Sequence, residues 1–463
     1  MVLEQDDRTA TVALFGLKRD TDILLRAARS RDELLDLVFS GETAAIAGKR
    51  QVIRYFLRRC GKETGLRSLP PLTVSPRFVL TRHKDGVLRS ILGRLSAYLR
   101  TTGVAEEIET AFDRVEKQKG CAFGEAGTCC RICSMGPCRI NPKKPEEGRG
   151  VCGADVDTIV ARNFARMVAG GASAHSDHGR DLAYTLLAAA EGEAPDYKIR
   201  DTSKLHEVAG YLGVATEGKS IEDLARDVAL ASLNEFGKPA GEIIYLNRAP
   251  KKRQEVWHKL GIAPRNVDRE IVETLHRTHI GNDQDAEHIL DHALRCALGD
   301  GWGGSMLATD LSDILFGTPA PLLAESNLGV LRDDEVNIIV HGHEPTLSEM
   351  IVAAAQDPEL IEYAKSKGAK GITLGGICCT ANETLMRQGV PLAGNFLQQE
   401  LALLTGAVEA MVVDIQCIMQ GIVKLADQFH TEIITTSRKA KITGATHIEF
   451  EAVSYTHLTL PTN

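Results

Sequence analysis

The spacing of apolar residues changes near residue 319. Upstream, from about residue 101, apolar side chains recur every three or four positions through DTIVARNFARMVAGGAS (157–173), GRDLAYTLLAAAEG (179–192) and SIEDLARDVALASLNEF (220–236). A helix face repeats every 3.6 residues, so this spacing predicts long amphipathic helices. Downstream, short apolar runs alternate with helical stretches. Strands are predicted at EVNIIVHG (335–342), GITLGGI (371–377), PLAGNF (391–396, weakly), EAMVVDI (409–415) and EIITT (432–436). Helices are predicted between them at 346–368, 382–389, 398–407 and 418–429. Repeated strand–helix units imply a parallel sheet. The expected fold is α/β and multidomain: a helical domain over 101–318, then a Rossmann-like, doubly wound parallel sheet over 319–453. Residues 1–100 mix helical patterns (DELLDLVF, GVLRSILGRLSAYLR) with a turn-rich stretch, 68–76, and carry no evident chemistry. Residues 454–463 have neither helical period nor strand pattern, and are expected to be a foreign or disordered tail.

Composition narrows the class. Hydrophobic residues are 43% of the chain, enough for more than one core. The net charge of −8 gives no reason to expect nucleic acid or an anionic membrane as partner. No apolar run reaches the roughly 18 residues of a membrane-spanning helix. The N-terminus lacks the basic stretch and apolar core of a secretory signal. A cytoplasmic protein is expected.

Of eleven cysteines, six fall between Cys121 and Cys152: Cys121, Cys129, Cys130, Cys133, Cys138 and Cys152. Disulfide scaffolds belong to small secreted chains, so metal or cluster binding is the better reading. A cubane cluster needs four thiolates converging on a small volume, and a Cys-x2-Cys loop supplies two from one turn. Gly136-Pro137 suits a chain bending back towards the same metal. Tetrahedral zinc on Cys130, Cys133, Cys138 and Cys152 is the alternative; it leaves Cys121 and Cys129 over. A second constellation, His343, Cys379 and Cys417, falls at the C-terminal ends of predicted strands, where α/β sheets open their ligand crevice.

These blocks, with CAFGEAGTCCRICSMGPCRINP, GVCGADVDTIVARNFARMVAGGASAHSDHG, VNIIVHGHEP, GICCTANETLMRQG, DIQC and KITGATH, resemble the catalytic subunit of anaerobic nickel–iron carbon monoxide dehydrogenases over about residues 104–448. The resemblance implies that Cys130, Cys133, Cys138 and Cys152 hold a [4Fe–4S] relay cluster. It implies that Cys121 and Cys129 share a bridging cluster with the same residues of a second subunit in a homodimer. His343 and Cys379 would ligate the unique iron of the active nickel–iron–sulfur cluster, and Cys417 another of its irons. Cys60, Cys296 and Cys378 match no ligand position and are expected to be structural.

The implied reaction oxidises CO with water to CO2 and passes electrons to a ferredoxin-like acceptor, with an acetyl-CoA synthase a further candidate partner. His175 resembles the acid–base histidine beside the active cluster. His178 lies three residues on, but Asp181 and Tyr184 break the family's histidine stripe. The family has a further α/β domain supplying three more cysteines to the active cluster. The chain is expected to lack it, and so to be inactive alone. A hybrid-cluster (hydroxylamine reductase) enzyme and a non-catalytic iron–sulfur electron carrier are the rival readings.

Overall fold

The computed structural model describes residues 109–450, apart from 281 and 325, and the backbone of two paired strands, β1 (Leu3–Asp6) and β2 (Thr9–Val12). Cys60 and the tail 454–463 lie outside the described residues. Two compact units divide the chain: residues 119–319 form one, and residues 109–118 with 320–450 the other.

A short helix, α1 (Ala111–Lys117), belongs to the second unit, where Glu400 accepts hydrogen bonds from the Ala111 N–H and from Arg114. The helical unit follows with a single turn, α2 (Ala122–Glu125), and a small antiparallel ribbon of β3 (Cys129–Cys130) and β4 (Cys138–Arg139). Its axis is α3 (Val156–Glu191), a 36-residue helix that joins two stretches the apolar pattern had separated. Asp155 caps it, accepting from the Thr158 N–H at 2.9 Å. Gly170 and Gly171 each weaken the helix by about 1 kcal/mol, but packing outweighs them. Buried Ala161, Ala165, Ala169 and Ala172 let Ile289, Ala293 and Cys296 close against it. These come from α8 (Ala286–Leu298). Around α3 also pack α5 (Ile221–Gly237), α7 (Val267–Arg277) and α9 (Leu307–Phe316), while α4 (Thr202–Leu212) packs on α5 and α9; α6 spans Lys251–Leu260. Between α8 and α9 the chain makes a π-helical segment, Gly299–Met306.

In the second unit, six parallel strands form one sheet: β5 (Val336–Gly342), β6 (Ile372–Ile377), β7 (Leu392–Gly394), β8 (Ala410–Val413), β9 (Glu432–Thr435) and β10 (Thr446–His447). Their spatial order is β10-β9-β8-β5-β6-β7. Strand order therefore reverses between β5 and β8, the place where such sheets open a crevice. Buried Ile339, Ile377, Met411, Val413 and Ile433 from the strands pack with Leu401, Leu404, Ile422 and Leu425 from the helices. The stretch 346–368, expected as one helix, is two: α10 (Pro345–Ala355) and α11 (Pro358–Ser366). Pro358 has no N–H and its ring collides with a preceding helical turn; Asp357 caps the new start, accepting from the Glu359 N–H at 2.7 Å. Beyond β6 runs α12 (Cys378–Gln388). β10 escaped the sequence reading because two residues carry no alternation.

Candidate metal centres

The ribbon sorts the cysteines. Neighbouring residues on a strand point to opposite faces. Cys130 stands opposite Cys138 in register, and Cys129 opposite Arg139. Adjacent Cys129 and Cys130 thus face different ways. Cys130, Cys133, Cys138 and Cys152 line one pocket with Gly150, Ile159 and Arg162, whereas Cys121 is exposed at the N-terminus of α2 and Cys129 is half-buried. Gly136 is required by close approach: a Cβ there would stand 2.9 Å from the Cys130 carbonyl oxygen and 3.2 Å from the Cys138 nitrogen. The Gly136–Pro137 peptide is cis.

The pocket is built for anionic sulfur. The Val151 N–H donates to Cys138 Sγ at 3.4 Å. The Ala154 N–H, then Arg162, hold the Cys152 thiol below its ordinary range. Arg162 Nη1 lies 4.0 Å from that sulfur, and its Nε, buried, has no partner. An orphaned cationic donor beside four thiols fits an anionic group held by those thiols. The positive N-terminal end of α3 opens a few residues beyond Cys152 and favours the same charge. Among the described residues no group of three or more His, Cys, Asp or Glu side chains is placed to hold a single metal ion, either at the pocket or at the strand ends. Tetrahedral zinc needs every sulfur about 2.3 Å from a single ion, whereas a cubane takes each thiolate on a different iron. The four-cysteine arrangement fits the cluster better.

At the sheet, His343 follows β5, Cys379 lies in the first turn after β6, and Cys417 lies four residues past β8. These three strands are neighbours, with β5 in the middle. The backbone there is strained: Cys378, Gln416 and Cys417 have φ of 67°, 64° and 57°, and they are the described non-glycine residues with positive φ. Such conformations cost about 1–3 kcal/mol each and concentrate at functional sites. Burial raises the Cys379 thiol, and the neighbouring Cys417 raises it further. Cys378, half-buried against the sheet core, is raised first by burial and then by both neighbours. Cys296 is 1% exposed on α8, where burial pushes its thiol up to about 11, and it packs with Ala169 and Ala172 of α3.

One carboxylate ties the three strand ends together. Asp414 accepts from the His343 N–H at 2.5 Å, the Glu344 N–H at 3.0 Å, the Thr380 hydroxyl at 3.0 Å and the Ile415 N–H. Burial pushes this carboxyl up to about 7 against the backbone N–H groups that hold it down. Gly342 makes room for it: a Cβ at that position would stand 1.6 Å from Asp414 Oδ1.

His175 lies on α3, where its Nδ1 pairs with Asp300 Oδ1 at 2.7 Å. Asp300 belongs to the π-helical segment. A carboxylate on Nδ1 fixes the orientation of the ring. His178 is buried at 3% exposure, and Asp181 and Tyr184 continue its spacing with no imidazole. Sequence reasoning missed Asp300, Asp414 and Arg162. The glycine-rich run GDGWGGSM inside a helical context was the one visible signal for the first.

Fold and sites together define a cysteine-rich α/β protein with thiols in one pocket and thiols and imidazole at the ends of parallel strands. Residues 128–458 match the Prismane/CO dehydrogenase family, and the chain belongs to it. Carbon monoxide dehydrogenase 1 of Methanosarcina mazei is 59% identical over 346 residues, covering 74% of this chain and 55% of that protein. The carbon monoxide dehydrogenase/acetyl-CoA synthase subunit beta of Moorella thermoacetica is 47% identical over 353 residues, covering 75% and 52%. A nickel-free crystal structure of carbon monoxide dehydrogenase from Thermococcus sp. AM4 matches with a TM-score of 0.75 at 54% identity, over 77% of this chain and 57% of that one. The chain thus spans about half the length of the curated relatives it matches. Among the described residues no helix is long and apolar enough to cross a membrane.

Proposed function

We propose that this chain carries the relay-cluster unit and part of the active-cluster unit of a carbon monoxide dehydrogenase that oxidises CO with water to CO2. The observation that carries the reading is the pocket where Cys130, Cys133, Cys138 and Cys152 meet, in a chain whose relatives bear that enzyme's name. Those thiols would hold the [4Fe–4S] relay cluster. His343, Cys379 and Cys417 would hold part of the nickel–iron–sulfur group, which when bound supplies the CO site and activates water. Asp414 orients the backbone of the three strand ends. His175, its Nδ1 held by Asp300, takes up and passes on a proton at Nε2. Electrons leave towards a ferredoxin-like acceptor, and an acetyl-CoA synthase is a candidate partner because one relative is named as part of such a complex.

The reading includes a homodimer with a cluster shared through Cys121 and Cys129. Val160, Phe164 and Met167 form an exposed apolar stripe on α3, at 38%, 51% and 75% exposure. Spaced four and three apart, they share one helix face. That stripe borders the cysteine segment: a Cβ at Gly127 would stand 3.8 Å from Val160, and Asn163 Nδ2 donates to the Gly127 and Cys129 carbonyls at 2.8 and 3.0 Å. A contiguous exposed apolar face marks a protein interface.

The test is anaerobic reconstitution with iron, sulfide and nickel, followed by metal analysis and CO-dependent viologen reduction. The reconstituted chain should be brown and iron-loaded, and a protein of its relatives' full length that contains it should reduce viologen with CO. Zinc in place of iron refutes the cluster. A full-length protein with iron and no CO-dependent reduction makes it an electron-transfer protein instead.

A further inference from the structure

Arg162, in the second turn of α3, is 2% exposed. Its Nη2 donates to the Asp283 carbonyl at 3.3 Å and to Gln284 Oε1 at 2.8 Å. Nη1 faces Cys152 Sγ at 4.0 Å, and Nε has no partner. Every one of these acceptors but the thiol is a neutral oxygen, and Arg162 makes no ion pair with a carboxylate among the described residues. A guanidinium does not lose its proton in a protein. A buried charge left unpaired is strongly destabilising, so an interior that keeps one must supply an anion. On the open side of Arg162 stand the four pocket cysteines. A cluster held by four thiolates is anionic when oxidised and gains one further negative charge on reduction. A cation at its edge stabilises the reduced state more than the oxidised one, and more strongly inside a protein than in water.

We propose that Arg162 is the counter-charge of the relay cluster and raises its reduction potential, which makes it a positioning and tuning residue rather than only a clamp between α3 and the 283–284 loop. The proposal rests on the reading of Cys130, Cys133, Cys138 and Cys152 as cluster ligands. Hydrogen bonding and charge near cluster sulfur are the established levers of cluster potential.

The experiment is a redox titration of the anaerobically reconstituted chain, followed by electron paramagnetic resonance, for wild type, R162K, R162Q and Q284E. R162Q removes the charge but keeps an amide donor for the Asp283 carbonyl. Its cluster should form with wild-type iron content and a more negative midpoint potential. R162K keeps the charge and should recover most of the difference. Gln284 is exposed, so Q284E tolerates folding; its new carboxylate pairs with Arg162, cancels its field and should also lower the potential. A wild-type potential in iron-loaded R162Q overturns the proposal. If R162Q takes up no iron, a wild-type potential in Q284E overturns it. Wild-type protein that binds zinc, or no metal, instead defeats the cluster reading itself, and the tuning role with it.

Discussion

Gly342 and Asp414 show how single residues at the strand ends constrain one another. At φ 137° and with Asp414 Oδ1 where a Cβ would go, position 342 admits no side chain. Gly342→Ala should therefore destabilise the chain by roughly 2–5 kcal/mol, since it adds both overlap and backbone strain. Urea unfolding followed by circular dichroism measures this; a loss under about 1 kcal/mol would contradict the geometry. Asp414→Asn keeps the volume but turns an NH2 group towards N–H donors. It should cost about 2–3 kcal/mol through unsatisfied buried donors. Neither residue was legible beforehand. DIQC and VHGH each display a candidate ligand, but that the aspartate of one motif holds the backbone of the other depends on β5 and β8 being neighbours.

Among the elements, α7 and the loop that follows it are joined by a charged seam with a defined acid limit, which His288 and His292 of α8 also face. Burial works to raise the Glu273 carboxyl, but hydrogen bonds from Arg265 and Arg277 outweigh it and bring it to about 2. Arg277 also reaches Asp283 in the connecting loop at 3.0 Å. The folded value is below the unfolded one of about 4.3. Its stabilisation is thus complete above pH about 4.5 and lost as pH falls towards 2. Glu273→Gln should lower stability by about 2 kcal/mol at pH 7 and flatten the pH dependence between about 5 and 2. Thermal melts across that range test it; parallel curves for variant and wild type would be the contrary result. Within this unit the apolar period alone shows α3, as two stretches, and α5. The π-helical segment could not be read this way, because its glycines argue against any helix until His175 and its neighbours on α3 are there to pack against it.

For the whole molecule, the exposed stripe Val160, Phe164 and Met167 beside the cysteine segment predicts self-association. Two substitutions on that face, Phe164→Glu and Met167→Glu, should turn a dimer into a monomer, as read by sedimentation. Cys121→Ser with Cys129→Ser should remove one cluster per dimer while leaving the pocket cluster in place. Full iron content in that double variant would refute the shared cluster.

The sequence by itself determined the kinds of element, the clustering of thiols and the family resemblance, because these depend on local period and on residue type at short spacing. The opposition of Cys129 and Cys130 was not among these, since it depends on β3 pairing with β4. Tertiary structure alone decided which neutral-looking positions serve the sites. Arg162 meets Cys152 from the second turn of α3, Asp300 reaches His175 from 125 residues away, and Asp414 joins three strand ends. Such pairings arise from helix packing and strand order, and neither is encoded in the spacing between the partners.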